Sequence, residues 1–364
     1  MIAGEASGDL HAAAVAQELH ALRPDLRLAG IGGARMEGAG VELVERTDRL
    51  AVMGFVEVIR HIPHHAALLR AMRDRLRSGR VAAIMLVDYP GFNMKLATAA
   101  SLARVPVLYY ITPQVWAWGA GRLNALARTV TKAAVILPFE ESLLRAHGVD
   151  ATFVGHPLLD RAGSLPTRDD ARRQLGLAPD APVLALFPGS RAQEIERHLD
   201  DFVRAGLELR RRRPDLQLVI SAAPGIALDG HPSITVARGA SFTVLRAADA
   251  AICKSGTTTL EAAVAGCPLV VAYRTSRWTY AIARRLVRIP HIGLVNVVAG
   301  REVAREFVQG ALQPNAIADA LDPLLDPGSP ARASIVRDLA EVRGKLGTPG
   351  AAGRVARIAA ELAR

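Results

Sequence analysis

"DAAICKSGTTTLEAA", residues 249–263, opens as a short apolar run, breaks at Ser-Gly, and continues through three threonines to a glutamate and alanines. A continuous rather than alternating apolar run fits a strand covered on both faces, and the residues after Ser-Gly fit the start of a helix. One strand feeding one helix through a tight turn is the unit of a parallel α/β sheet. The turn itself permits two readings. Thr258 and Glu261 have the spacing of a capping box, which needs no ligand. Equally, the hydroxyls and unpaired amides of Ser255, Gly256, Thr257 and Thr258 suit a pyrophosphate at a helix start, with Glu261 one turn on for ribose hydroxyls.

The same rhythm recurs along the chain. Apolar runs lie at 81–87, 105–111, 133–138, 183–188, 216–220, 249–254 and 268–273, separated by helical segments such as "LATAASLARV", 96–105, and "YAIARRLVRI", 280–289. Strand and helix in alternation imply parallel sheets with crossover connections. The stretch 158–182, rich in Pro, Gly and clustered charge, interrupts the rhythm and reads as a linker. An α/β protein of two Rossmann-like halves facing each other across a cleft is expected. The expected bounds are 1–160, 161–330, and terminal helices, 331–364, returning to the first half or to a partner subunit.

Composition agrees with this outline. The chain has 364 residues, room for two domains at roughly 150 residues each. Hydrophobic residues make up 50% and charged residues 22%, a globular balance rather than a disordered one. No apolar run approaches the roughly 18 residues needed to cross a bilayer. The start "MIAGEASGDL" lacks the basic and long apolar stretches of a signal peptide, so a cytoplasmic protein is expected. Cys253 and Cys267 lack metal-site spacing and read as small buried hydrophobes. A net charge of +10 calls for an anionic partner, whether nucleic acid, phosphorylated substrate or an acidic membrane face. No RNA-binding aromatic signature, zinc-finger spacing or basic low-complexity tail is present, which sets nucleic acid aside.

Three further junctions carry chemistry. In "AGEASGDLHAA", 3–13, Ser7 and Asp9 can cap and charge a first helical turn, but capping does not explain Glu5. In "MLVDYPGFN", 85–93, Asp88 directly follows a buried run; it either hydrogen-bonds the Pro-Gly turn or accepts a proton from a sugar hydroxyl at a cleft lip. In "LFPGSRAQEIERH", 186–198, Gly189 and Ser190 bring backbone close to a ligand and Arg191 supplies a forked cation, the make-up of a phosphate site. The bland reading there is a surface arginine at a tight turn.

Eight motifs, "AGEASGD", "AVMGFVEV", "YYITPQVWAWGAGR", "ILPFEE", "FVGHPL", "LFPGSR", "SGTTTLE" and "LVNVVAGRE", occur in the order seen in the lipid-A-disaccharide synthase family, which the chain resembles over roughly residues 1–325. The resemblance implies a GT-B glycosyltransferase that passes the sugar of UDP-2,3-diacylglucosamine to the 6-hydroxyl of 2,3-diacylglucosamine 1-phosphate with inversion. Neither cofactor nor metal is implied. On the resemblance, Gly189, Ser190, Arg191, Ser255, Gly256, Thr257, Thr258, Glu261 and Asn296 bind the donor. Asp88 is the candidate base, with Glu5 and Ser7 placing the acceptor and Arg301 and Glu302 completing the cleft. The family carries more apolar residues ahead of "AGE", so the first strand is expected to be short.

Acylated substrates need apolar surface. Val52, Met53 and Phe55 stand beside a basic helix that suits an anionic inner-membrane surface, or that is simply a core helix with a solvated arginine face. Trp116 and Trp118 either line an acyl groove or pack between helices, and a homodimer is implied by the resemblance alone. Two other classes compete. A different GT-B enzyme, such as a UDP-N-acetylglucosamine epimerase or an undecaprenyl-linked transferase, should lack "TPQVWAW" and "AVMGFVEV", and both are present. A non-catalytic UDP-binding protein would tolerate Asp88→Asn and Glu5→Gln.

Overall fold

The computed structural model describes residues 1–47, 55–116, 120–226, 228, 233–276, 279–280 and 290–364, the side chains of 55–63 and 120 excepted. Val52, Met53, Trp118 and most of the segment 280–289 lie outside the described residues, as does the side chain of Phe55.

Two compact units make up the chain: Met1–Pro157 with Gly347–Arg364, and Leu158–Leu346. Unit 1 holds seven strands, β1 (Ile2–Ala3), β2 (Ala29–Gly32), β3 (Glu42–Arg46), β4 (Ile84–Val87), β5 (Val107–Tyr110), β6 (Lys132–Val135) and β7 (Ala151–Phe153), in the order β3-β2-β1-β4-β5-β6-β7. All pairings are parallel. Side-chain alternation explains the continuous apolar runs. Ile2, Leu86, Val107 and Tyr109 enter one buried cluster, while Ala3, Val87, Leu108 and Tyr110 enter another. Both faces of these central strands are therefore dry, and such strands must be apolar at every position. β1 is short, as expected, and its Ala3 pairs with Val87.

The helix Ala6–Leu22 covers the second face with Ala12, Val15, Ala16 and Leu19, and the last helix, Ala351–Leu362, joins it through Val355, Ala356 and Ala359. Arg354 Nε fastens this last helix by donating to Val154 O at 2.8 Å. The expected returning helices are divided between the units: Pro330–Lys345 stays in unit 2, burying Ile335, Leu339 and Val342, and only the segment after Leu346 belongs to unit 1.

Unit 2 holds β8 (Val183–Phe187), β9 (Gln217–Ala222), β10 (Thr235–Arg238), β11 (Ala250–Lys254), β12 (Leu269–Tyr273) and β13 (Glu306–Val308), in the order β10-β9-β8-β11-β12-β13, all parallel. The stretch read as a linker is folded. Thr167 caps a helix, Arg168–Leu175, by accepting from Asp170 N at 3.2 Å. Arg172 in that helix is 1% exposed and reaches Asp249 Oδ2 at 2.8 Å. One charge of the cluster, Arg172, is thus spent on a buried ion pair, while Arg168, Asp169 and Arg173 stay exposed. The two cysteines are buried and unbridged, and burial pushes the Cys267 thiol up to about 12.

Candidate active site

Each sheet reverses its winding once, between β1 and β4 in unit 1 and between β8 and β11 in unit 2. Open α/β sheets bind ligands outside the carboxyl ends of strands at such a switch point, where adjacent loops leave in opposite directions. Register fixes which residues emerge there. Phe187 pairs with Cys253, so the loops from Pro188 and from Lys254 start side by side. In unit 1 the Ala3–Val87 pair sets Gly4-Glu5 beside Asp88 in the same way.

In unit 2, Gly189 has φ of +136°, and a Cβ there would lie 2.5 Å from Glu194 Cβ, so only glycine closes this turn. Ser190 N donates to Glu194 Oε2 at 3.0 Å, and Glu194 Oε1 meets Lys254 Nζ at 2.9 Å. Burial pushes the Glu194 carboxyl up, but Lys254, Ser190 N–H and Arg191 together hold it below the usual carboxylate range. Arg191 is the N-cap of the helix Ala192–Arg212, with its side chain 62% exposed. The opening stretch forms β11, a turn and the helix Thr258–Ala265. Thr257 is the N-cap and makes no side-chain cap hydrogen bond, so the capping box at Thr258 and Glu261 does not form. Other hydroxyls shape the turn: Ser255 Oγ donates to Ile292 O at 2.6 Å, and Thr259 Oγ1 donates to Gly256 O at 2.9 Å. Burial pushes the Glu261 carboxyl up, against the opposing pull of the Ser241 hydroxyl and Arg161.

Asn296 is fully buried and its amide is saturated. Nδ2 donates to Ala304 O and Glu306 Oε1, and Oδ1 accepts from Val303 N and Ala304 N, at 2.7–2.9 Å. It braces the turn after helix Leu294–Ala299, so any ligand contact there falls to backbone or to neighbours. Arg301 pairs with Asp338 and Glu341, both at 2.9 Å, and Glu302 Oε1 accepts from Glu306 N. Both therefore have partners within unit 2.

In unit 1, Glu5 and Ser7 are exposed where the helix Ala6–Leu22 begins, with Glu5 as its N-cap residue. Asp9 lies in the first turn of its own helix, as expected, and its carboxylate also serves the next one. It is buried and accepts from Gly33 N, Arg35 N and Met36 N, capping the next helix, Ala34–Gly38. Asp88 and Tyr89 both adopt left-handed backbone, φ +47° and +49°. Such conformations cost about 1–3 kcal/mol each and persist only where the surroundings over-determine them. The surroundings do so here. Asp88 N donates to Tyr110 O at 3.1 Å, while Asp88 O accepts from Asn93 Nδ2 at 2.7 Å and Tyr109 Oη at 2.9 Å. The Tyr89 ring lies against Gly4, where a Cβ would come within 2.3 Å of it. Tyr89 Oη meets His65 Nε2 at 3.0 Å. Burial, and after it the charge of Glu5, push the Tyr89 phenol up.

Trp116 is anchored rather than loose, its Nε1 donating to Glu140 Oε1 at 3.0 Å and its ring edge-on to Phe139. Burial pushes Glu140 up to about 7 despite hydrogen bonds from Leu137 N–H, Trp116 and Ile136. Glu140 stands in the "ILPFEE" motif, and nothing in its local pattern announces the pairing with a residue 24 positions earlier. Tyr89, Glu194 and Lys254 likewise carry no local signature of their partners, although Lys254 ends β11 directly ahead of the Ser-Gly turn. Among the described residues, no group of three or more His, Cys, Asp or Glu is placed to hold a metal ion.

The sequence model of the "Lipid-A-disaccharide synthetase" family matches residues 1–343. A lipid-A-disaccharide synthase of Myxococcus xanthus is 42% identical over 100% of this chain and 96% of its own length. Among solved structures, the glycotransferase of kitacinnamycin shares the fold with a TM-score of 0.66 at 17% identity, covering 100% of this chain and 98% of that one. A Staphylococcus aureus MnaA–UDP co-structure gives 0.66 at 12% identity, covering 97% and 93%. At that identity these two likenesses speak for the fold alone, two parallel-sheet halves of the GT-B class. With a family match over most of its length and a full-length relative at this similarity, the chain belongs to the lipid-A-disaccharide synthase family and is a GT-B glycosyltransferase of lipid A biosynthesis.

Proposed function

We propose that the chain joins UDP-2,3-diacylglucosamine to 2,3-diacylglucosamine 1-phosphate, forming the β-1,6-linked disaccharide phosphate and UDP with inversion. The observation carrying this reading is the placement of complementary chemistry at the two switch points, anion-holding groups in unit 2 and carboxylates in unit 1. The acceptor 6-oxygen attacks the anomeric carbon. As the new C–O bond forms, the bond to the diphosphate oxygen breaks and UDP leaves with the electron pair. Asp88 accepts the hydroxyl proton, and Glu5 and Ser7 orient the acceptor. Gly189, Ser190, Arg191, Ser255, Gly256, Thr257 and Thr258 hold the diphosphate and the charge that develops on it, and Glu261 holds the ribose. Preorganisation supports Asp88 in this role, since its peptide is gripped from three sides.

Working on acylated sugars, the chain acts at an anionic membrane surface. Among the described residues, no helix is long and apolar enough to cross a membrane. Support for surface attachment comes from helix Phe55–Arg77, which buries Leu68, Met72 and Leu76 and exposes Arg70, Arg73, Arg75 and Arg77. Purified chain incubated with both substrates should yield a tetraacyl disaccharide phosphate by mass spectrometry, alongside UDP, with a β anomeric proton coupling by NMR. UDP release without disaccharide, or an α linkage, overturns the proposal.

A further inference from the structure

The seat formed after β8 already holds an anion from the chain itself. Glu194 lies one turn into the helix Ala192–Arg212 and folds back onto the turn, so that Oε2 takes Ser190 N–H and Oε1 takes the Lys254 ammonium. Both side chains are largely enclosed, at 16% and 20% exposure. Lys254 is held from the other side as well. Its Nζ lies 5.8 Å from the Tyr273 ring centroid, and that ring packs on His198. His198 is pinned in turn, with Nδ1 2.6 Å from Glu194 O and Nε2 accepting from Arg274 N at 2.8 Å. One acid thus occupies an amide and a cation at the junction of β8 and β11, where a diphosphate needs both.

We infer that Glu194 is a resident stand-in for the donor's diphosphate: it keeps Ser190 N–H and Lys254 in position, and the arriving diphosphate displaces it and takes Lys254 as a further binding cation. This rests on the reading of the loop as the donor seat. A carboxylate left beside a diphosphate is repelled, whereas a diphosphate offers the ammonium more charge and more acceptor oxygens than a carboxylate does. Glu194 therefore acts against donor affinity and Lys254 acts for it, although the two are partners in the protein alone. The pair sets how tightly the protein holds donor, and UDP after turnover.

Calorimetric titration with UDP tests this on wild type, Glu194→Gln, Glu194→Asp, Lys254→Met and Arg191→Ala. Removing the competing carboxylate (Glu194→Gln), or drawing it back (Glu194→Asp), should tighten UDP about threefold to tenfold, and Lys254→Met should weaken it roughly tenfold. The Glu194–Lys254 coupling in a double-mutant thermal-stability cycle should be present without UDP and shrink at saturating UDP. Weaker UDP binding in both Glu194 variants, with a coupling that UDP leaves unchanged, would make Glu194 a permanent brace and overturn the inference. Wild-type affinity in Arg191→Ala would instead show the seat itself to be misassigned, and the inference would fall with it.

Discussion

The two switch points share a topology and differ in almost everything else. At the unit 2 lip, main-chain amides, hydroxyls and two cations gather around a glycine at φ +136°, where a side chain would collide with Glu194. At the unit 1 lip stand an exposed carboxylate, Glu5, and a half-buried one, Asp88, the latter the first of two consecutive left-handed residues and held through its backbone by Asn93, Tyr109 and Tyr110. On the proposed reading, one lip receives negative charge and the other receives a proton. The lesson is that a doubly wound sheet supplies the place, and the two or three residues after each central strand supply the chemistry.

The largest effect should come from removing the proposed proton acceptor. Asp88→Asn keeps size and backbone preference, so initial rates of UDP release should fall by roughly 10²–10⁴ in kcat while donor KM stays near wild type. Unchanged turnover would move the base elsewhere on that lip. Next comes the packing beneath it. Leu96, fully buried in the helix that follows Asp88, should cost about 2–5 kcal/mol of stability as Leu96→Ala, read by denaturant unfolding. Smaller again is the charge at the other lip, where Arg191→Ala should raise donor KM about tenfold with kcat less affected, because its exposed guanidinium is partly screened.

The smallest is a slope with pH. Burial raises the Glu140 carboxyl to about 7 in the folded chain, against an ordinary 4.5 when unfolded. Between those values the folded state binds the extra proton, so this group's stabilising contribution is lost as pH rises from 4.5 towards about 7 and is constant outside that window. Glu140→Gln should flatten that part of the stability profile, and the matching titration of Trp116 fluorescence should vanish with it. A profile of unchanged slope would place the titration on another group.

The central strands and both lips were legible because burial on two faces writes an uninterrupted apolar run, and a glycine or charge directly after it marks the loop. Every run singled out became an interior strand, paired on both sides, from Ile84–Val87 to Leu269–Tyr273. Edge strands were not legible. β3, "ELVER", keeps one residue exposed and four half-buried, and β10, "TVAR", is no more apolar. Long-range pairings stayed hidden for a different reason. Asp9 caps a helix that begins 25 residues later, Arg172 finds Asp249 across 77 positions and Lys254 finds Glu194 across 60, and no local pattern encodes such partners. Asn296 teaches the same point, since its motif marks the loop but not the four hydrogen bonds that occupy it.

The division of labour between the lips is tested most directly by titrating UDP calorimetrically into Asp88→Asn and Arg191→Ala side by side with the wild-type chain. Wild-type affinity in Asp88→Asn and roughly tenfold weaker binding in Arg191→Ala is the expected result. Weakened binding in Asp88→Asn with wild-type affinity in Arg191→Ala would contradict it, placing the diphosphate on unit 1.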